Sequence, residues 1–170
     1  MNQTQMATRT RTFSWSDPAP TAAQLGRRSG RELLLAMAAG ELPAPPVMDL
    51  LGVERLEVDQ GRVVVAMTPQ EFHYNPLGTV HGGVLATLLD TAAGCAVHAT
   101  LPAGVGYTSL DLVTRFLRPV TVASGVLRCE GTVLSRGRTT ALAEARLTDA
   151  TGHLVAHATS SCRLFETDAA

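Results

Sequence analysis

The 170-residue sequence contains no lysine: all 14 basic residues are arginine, balanced by 15 acidic residues for a net charge of −1. Apart from Arg27-Arg28 and Arg31 the arginines are dispersed, so the chain lacks the basic footprint of a nucleic-acid binder. Long apolar runs are missing too. No stretch approaches the ~18 residues needed to span a bilayer, and the N-terminus has no apolar core of a secretory signal. Cysteine is sparse: Cys95, Cys129 and Cys162 are scattered and odd in number, which excludes a disulfide framework and fits reduced thiols in the cytoplasm. His73, His98, His153 and His157 show no ligand spacing, so no metal is expected. The serine-hydrolase elbow G-x-S-x-G, the P-loop and the dinucleotide fingerprint are all absent.

What is present is a globular balance of 45% hydrophobic and 17% charged residues, in a length that suits one core. The expected organisation is an N-terminal extension over 1–45, a domain over 46–166 and a tail over 167–170. The first thirty residues are polar and read as a loose, partly disordered arm in which Phe13 and Trp15 are the groups able to dock. Five arginines against Asp17 in residues 1–31 also match the composition of an organelle transit peptide. A short helix is predicted near 31–39, stopped by Gly40, with a proline spacer at 43–46 and an apolar turn at 48–51. Residues 53–58 and 62–68 flank Asp59-Gln60-Gly61 as a β-hairpin. From His81 to about Thr100 runs a helix whose apolar residues go nearly all the way round, so it must be enveloped. Four consecutive antiparallel strands are predicted after it, at 106–118, 120–135, 138–149 and 152–165. The fold class is α+β: a curved antiparallel sheet wrapped around a long central helix, with an N-terminal helical extension.

At the start of that helix stands Asn75-Pro76-Leu77-Gly78-Thr79-Val80-His81-Gly82-Gly83, with Asp90 further along it. This pattern resembles the signature of hotdog-fold acyl-CoA thioesterases of the phenylacetate-degradation (PaaI-like) type. The resemblance covers roughly 46–165, including Arg136-Gly137-Arg138 and the strand start Gly152-His153-Leu154-Val155-Ala156. It implies hydrolysis of an acyl-CoA or aryl-CoA thioester without a cofactor. It also implies sites formed across a homodimer, with Asn75, His81 and Gly82 of one chain facing Asp90 of the other, and dimers paired into a homotetramer. Ser109 is implied as the group that orients the water beside Asp90, with Thr108 the alternative register.

The residues support this chemistry on their own terms. Thioester hydrolysis needs donors for a developing oxyanion and a carboxylate that activates water or attacks directly. Glycines at a helix N-terminus expose unpartnered N–H groups where the dipole favours negative charge, and Gly82 is the chosen donor with Gly83 beside it. Close helix packing is the competing use of the two glycines. Asp90 in an apolar helix requires a partner or cavity. Eight residues of helix separate it from Gly82 by about 12 Å, too far for both to reach one carbonyl carbon. His81 serves either to orient the loop or as a base. Tyr74 is expected at the acyl pocket, and Arg115, Arg136 and Arg138 at the coenzyme A phosphates. A hotdog hydratase or dehydratase and a non-catalytic acyl-CoA-binding module are the competing functions.

Overall fold

The computed structural model describes residues 7–167. After a one-turn helix α1 (Ala19–Ala22) come α2 (Gly30–Ala38) and α3 (Pro46–Leu51), then the hairpin β1 (Val53–Asp59) and β2 (Arg62–Met67). The long helix α4 (Gly82–His98) follows, and the chain finishes with β3 (Val105–Ser109), β4 (Val113–Phe116), β5 (Leu127–Arg136), β6 (Thr140–Thr148) and β7 (Leu154–Glu166).

These elements follow from local chemistry. Helix α2 opens on a capping box in which Glu32 N–H donates to Ser29 Oγ and Ser29 N–H donates to the Glu32 carboxylate. Helix α3 has proline at its first position and ends at Gly52, whose φ of 72° is left-handed. Residues 48–51 are therefore helical where the sequence suggested a turn.

All seven strands form one antiparallel sheet in the order β1-β2-β5-β6-β7-β3, with β4 also on β7. The sheet wraps α4, burying Leu85, Leu88, Leu89, Ala92, Ala93, Gly94, Ala96 and Val97 of the helix. The sheet approaches the helix backbone closely at Gly131 of β5, where a Cβ would lie 2.1 Å from the Ala92 carbonyl oxygen. The expected α+β hotdog architecture, helical extension included, is what the chain adopts.

Two strand expectations are corrected. The first of the four predicted strands does not pair with the next one; it crosses to the far edge and lies on β7. It is also split. Four residue steps from Ser109 to Val113 face three from Cys162 to Thr159, so this side carries one extra residue, a bulge. Asp111 fills the gap, its Oδ1 accepting Ser161 N–H at 2.9 Å and its carbonyl accepting the Ser160 hydroxyl at 2.8 Å. The second strand begins at Leu127 rather than 120, because Thr121 caps a 3₁₀ turn at Val122–Ser124 and Gly125 reverses the chain with φ 66°.

Over the described residues the arm meets the domain through a different group from the expected aromatics. Phe13 and Trp15 stay exposed and stack on each other at 5.4 Å. Arg11 makes the docking contact instead, its guanidinium over the Phe72 ring and donating to the carbonyls of Leu50 and Asp49.

Candidate active site

The loop into α4 is built around Asn75. Its Oδ1 accepts Leu77 N–H at 2.9 Å and Thr79 N–H at 3.3 Å, and its Nδ2 donates to Thr79 Oγ1 at 3.0 Å. Gly78 turns the chain with φ 76°. His81 is the N-cap of α4: its Nδ1 accepts Gly83 N–H at 2.9 Å, which makes the ring a neutral acceptor at that nitrogen. Gly82, at the first helical position, has no acceptor for its N–H among the described residues. That amide borders a recess of about 380 Å³ lined by Asn75, Thr79, Gly82, Leu85, Phe116 and Arg118, among others. A Cβ on Gly82 would meet the Phe116 ring at 3.1 Å, so glycine keeps this end of the helix open against the aromatic wall.

Two turns along α4, Asp90 is half-buried and accepts the Ser109 hydroxyl at 3.0 Å through Oδ1. Both border a second recess, of about 390 Å³, with Ala86, Thr87, Leu110, Asp111 and Leu112. The small side chains of Ala86 and Thr87 leave space beside the carboxylate. The two recesses share no lining residue.

The structure therefore brings the predicted residues together in two groups, Asn75 with His81, Gly82 and Gly83, and Asp90 with Ser109. Thr108 joins neither: it is next to Ser109 in an extended strand, where neighbouring side chains face opposite sides, it makes no bond to Asp90, and together with Ser109 it borders a further recess with His98, Tyr107 and Phe165. Tyr74 braces the loop, accepting Val122 N–H at 2.8 Å on its hydroxyl, and lies outside both recesses. Arg115 is opposite His157 in the sheet, Arg136 ends β5 and Arg138 is in the β5–β6 turn; all three are exposed and away from the two recesses. Sequence reasoning missed Phe116 and Asp111. Neither carries a local signal, since the first faces Gly82 only through the β4–β7 pairing and the second acts at the bulge. Among the described residues no group of three His, Cys, Asp or Glu side chains could hold a metal, and no helix is long and apolar enough to cross a membrane.

With a donor at one helix end and a carboxylate in its middle, the arrangement carries the groups that acyl transfer to water requires. The profile of the thioesterase superfamily matches residues 77–156. Acyl-coenzyme A thioesterase 13 of Homo sapiens is 34% identical over 97 residues, which is 56% of this chain and 68% of that protein. The chain belongs to the thioesterase superfamily. Among solved structures, this thioesterase is similar to a phenylacetic acid degradation-related protein of Ralstonia eutropha JMP134, at 32% identity, TM-score 0.69, and 76% and 98% coverage of the two chains. The PaaI protein of E. coli shares the fold at 24% identity and TM-score 0.69, over 81% of this chain and 95% of that one. The protein is thus a thioester hydrolase of the hotdog, PaaI-like type.

Proposed function

We propose that this thioesterase cleaves acyl-CoA or aryl-CoA thioesters at a site completed by two subunits, Gly82 N–H of one chain holding the oxyanion and Asp90 of the other driving attack. The observation that carries this is the separation of the two half-sites. The free Gly82 amide and the Asp90–Ser109 pair border different recesses, and eight residues of helix set Gly82 and Asp90 about 12 Å apart. A homodimer is the minimal unit in this reading, and a pair of dimers the assembly.

Asp90 acts in one of two balanced ways. As a base it takes a proton from water while the hydroxide adds to the carbonyl carbon; as a nucleophile its oxygen adds directly and water later cleaves the mixed anhydride. In both, the C–S bond breaks and the thiolate leaves to be protonated. Ser109, donating to Oδ1, orients the carboxylate and the incoming water. The remaining amide hydrogen of Asn75 contacts the thioester, and His81 orients the loop by capping Gly83. Exposed Arg115, Arg136 and Arg138 are the proposed contacts for the phosphates of coenzyme A. No cofactor is required. Three free cysteines support a cytoplasmic setting.

The test is thiol release from a panel of acyl-CoA and aryl-CoA thioesters by wild type and Asp90→Asn. Release that survives the substitution unchanged overturns the assignment. Hydration of an enoyl-CoA without thiol release selects the hydratase alternative, and saturable binding without turnover the binding module. A single turnover in ¹⁸O-water that leaves label in the Asp90 carboxylate selects the covalent route, water having attacked the Asp90 carbonyl of the anhydride.

A further inference from the structure

The start of α4 is held from behind by a histidine that the reaction does not use. His73 closes the 3₁₀ turn Glu71–His73 at 4% exposure, and its polar groups are all committed. Ring Nδ1 accepts Gln70 N–H at 3.0 Å, Nε2 lies 3.1 Å from the Leu51 carbonyl, and the backbone carbonyl accepts His81 N–H at 2.8 Å. The two ring contacts are satisfied together only by a neutral imidazole with its proton on Nε2. A series of hydrogen bonds thus runs from Leu51 at the end of α3, through His73, to the N-cap His81 and on to Gly83, bracketing Gly82.

The N-terminal arm closes on the same turn from outside. The Arg11 guanidinium sits 4.0 Å over the Phe72 ring and donates to the carbonyls of Leu50 and Asp49, while Arg9 pairs with Glu71. Phe72 in turn meets the His73 ring edge-on at 4.2 Å. Arg11 therefore joins from the surface the two elements, α3 and the turn, that His73 joins from within.

We infer that Arg11 and His73 are positioning residues that together set the direction of the Gly82 N–H, by locking the turn behind the N-cap to α3. The inference rests on the proposed role of Gly82 as oxyanion donor. A donor displaced by even a fraction of an ångström stabilises the transition state less while substrate binding elsewhere is untouched, so the effect falls on kcat.

The experiment uses the full chain with Arg11→Ala, His73→Ala and His73→Gln, reading kcat and KM on a thioester the wild type cleaves, and amide hydrogen exchange at His81 and Gly83. Arg11→Ala is expected to lower kcat about tenfold with KM changed less than about twofold, and to speed exchange at His81. His73→Ala should lose more, and His73→Gln should recover part of the loss because its amide offers both a donor and an acceptor. Arg11 is on the surface, so its variant keeps the test decisive if His73→Ala does not fold. Unchanged exchange in Arg11→Ala, a rise in KM at constant kcat, or faster exchange with kcat intact each overturns the inference. Failure of the underlying reading looks different: Asp90→Asn then retains thiol release whatever happens at the arm.

Discussion

The Ser109 hydroxyl donates to Asp90 Oδ1 at 3.0 Å, joining edge strand β3 to the middle of α4 at the mouth of an open recess. In the proposed mechanism, deleting the carboxylate removes the group that activates water or attacks, whereas deleting the hydroxyl removes only its orientation. Asp90→Asn is expected to lower kcat by about 10²–10⁴-fold, and Ser109→Ala by roughly tenfold, the worth of one hydrogen bond to a charged group. Thr108→Val, on the other face of β3, should cost less than Ser109→Ala. Steady-state thiol release from the best substrate of the panel checks the ranking.

A site shared between chains makes a second prediction. Asp90→Asn and Asn75→Ala chains, each inactive alone, should regain activity when unfolded together and refolded, because one site in a hybrid dimer receives neither substitution. About half the sites of each hybrid would be intact, so activity should approach half that of wild type per hybrid. Hybrids that form, as seen by differential tagging, yet stay inactive would place both groups in one chain.

Gly131 lies where β5 passes beneath α4, and a Cβ there would sit 2.1 Å from the Ala92 carbonyl oxygen and 2.8 Å from Ala93 N. Those are backbone atoms with no rotamer to yield, so α4 must lift. Gly131→Ala should cost about 3 kcal/mol or more in urea unfolding. An unchanged midpoint would mean that the helix sits higher on the sheet.

Burial pushes the pKa of His73 below its ordinary 6.5, the Leu51 carbonyl opposing and Arg11 adding to the depression. Above pH 6.5 the folded and unfolded imidazoles are both neutral and contribute no slope. As the pH falls through that value the unfolded chain binds a proton that the folded one refuses, so stability declines, and it levels off only below the depressed folded pKa. His98, depressed by burial in the same direction, adds a slope of the same sign. Denaturant midpoints measured from about pH 7 to 5 should fall, and His73→Gln should flatten that fall without removing it.

Much of this architecture could be read from local pattern. The hairpin at 53–67 needed only two valine-bearing runs flanking the Asp59-Gln60-Gly61 turn, and α4 needed only its run of apolar residues after Gly82. The placement of β3 and β4 could not be read that way. They are five and four residues long, and their partner β7 lies some fifty residues on, so no neighbouring sequence records the pairing. The docking of Arg11 was hidden for the same reason, since a polar arm carries no signal of the Phe72 ring it covers. Within the site, Asn75, His81, Gly82 and Asp90 stood out because helix starts and acids in apolar helices have few uses, while Phe116 looked like any strand aromatic.

By itself the sequence determined the helix start, its unpartnered Gly82 amide and the eight-residue interval to Asp90, because capping and helical rise are local properties. Only the tertiary structure decided that Ser109 rather than Thr108 meets that carboxylate. In a strand, neighbours face opposite sides, and which side faces α4 depends on the register of β3 against β7 and on the bulge that ends it.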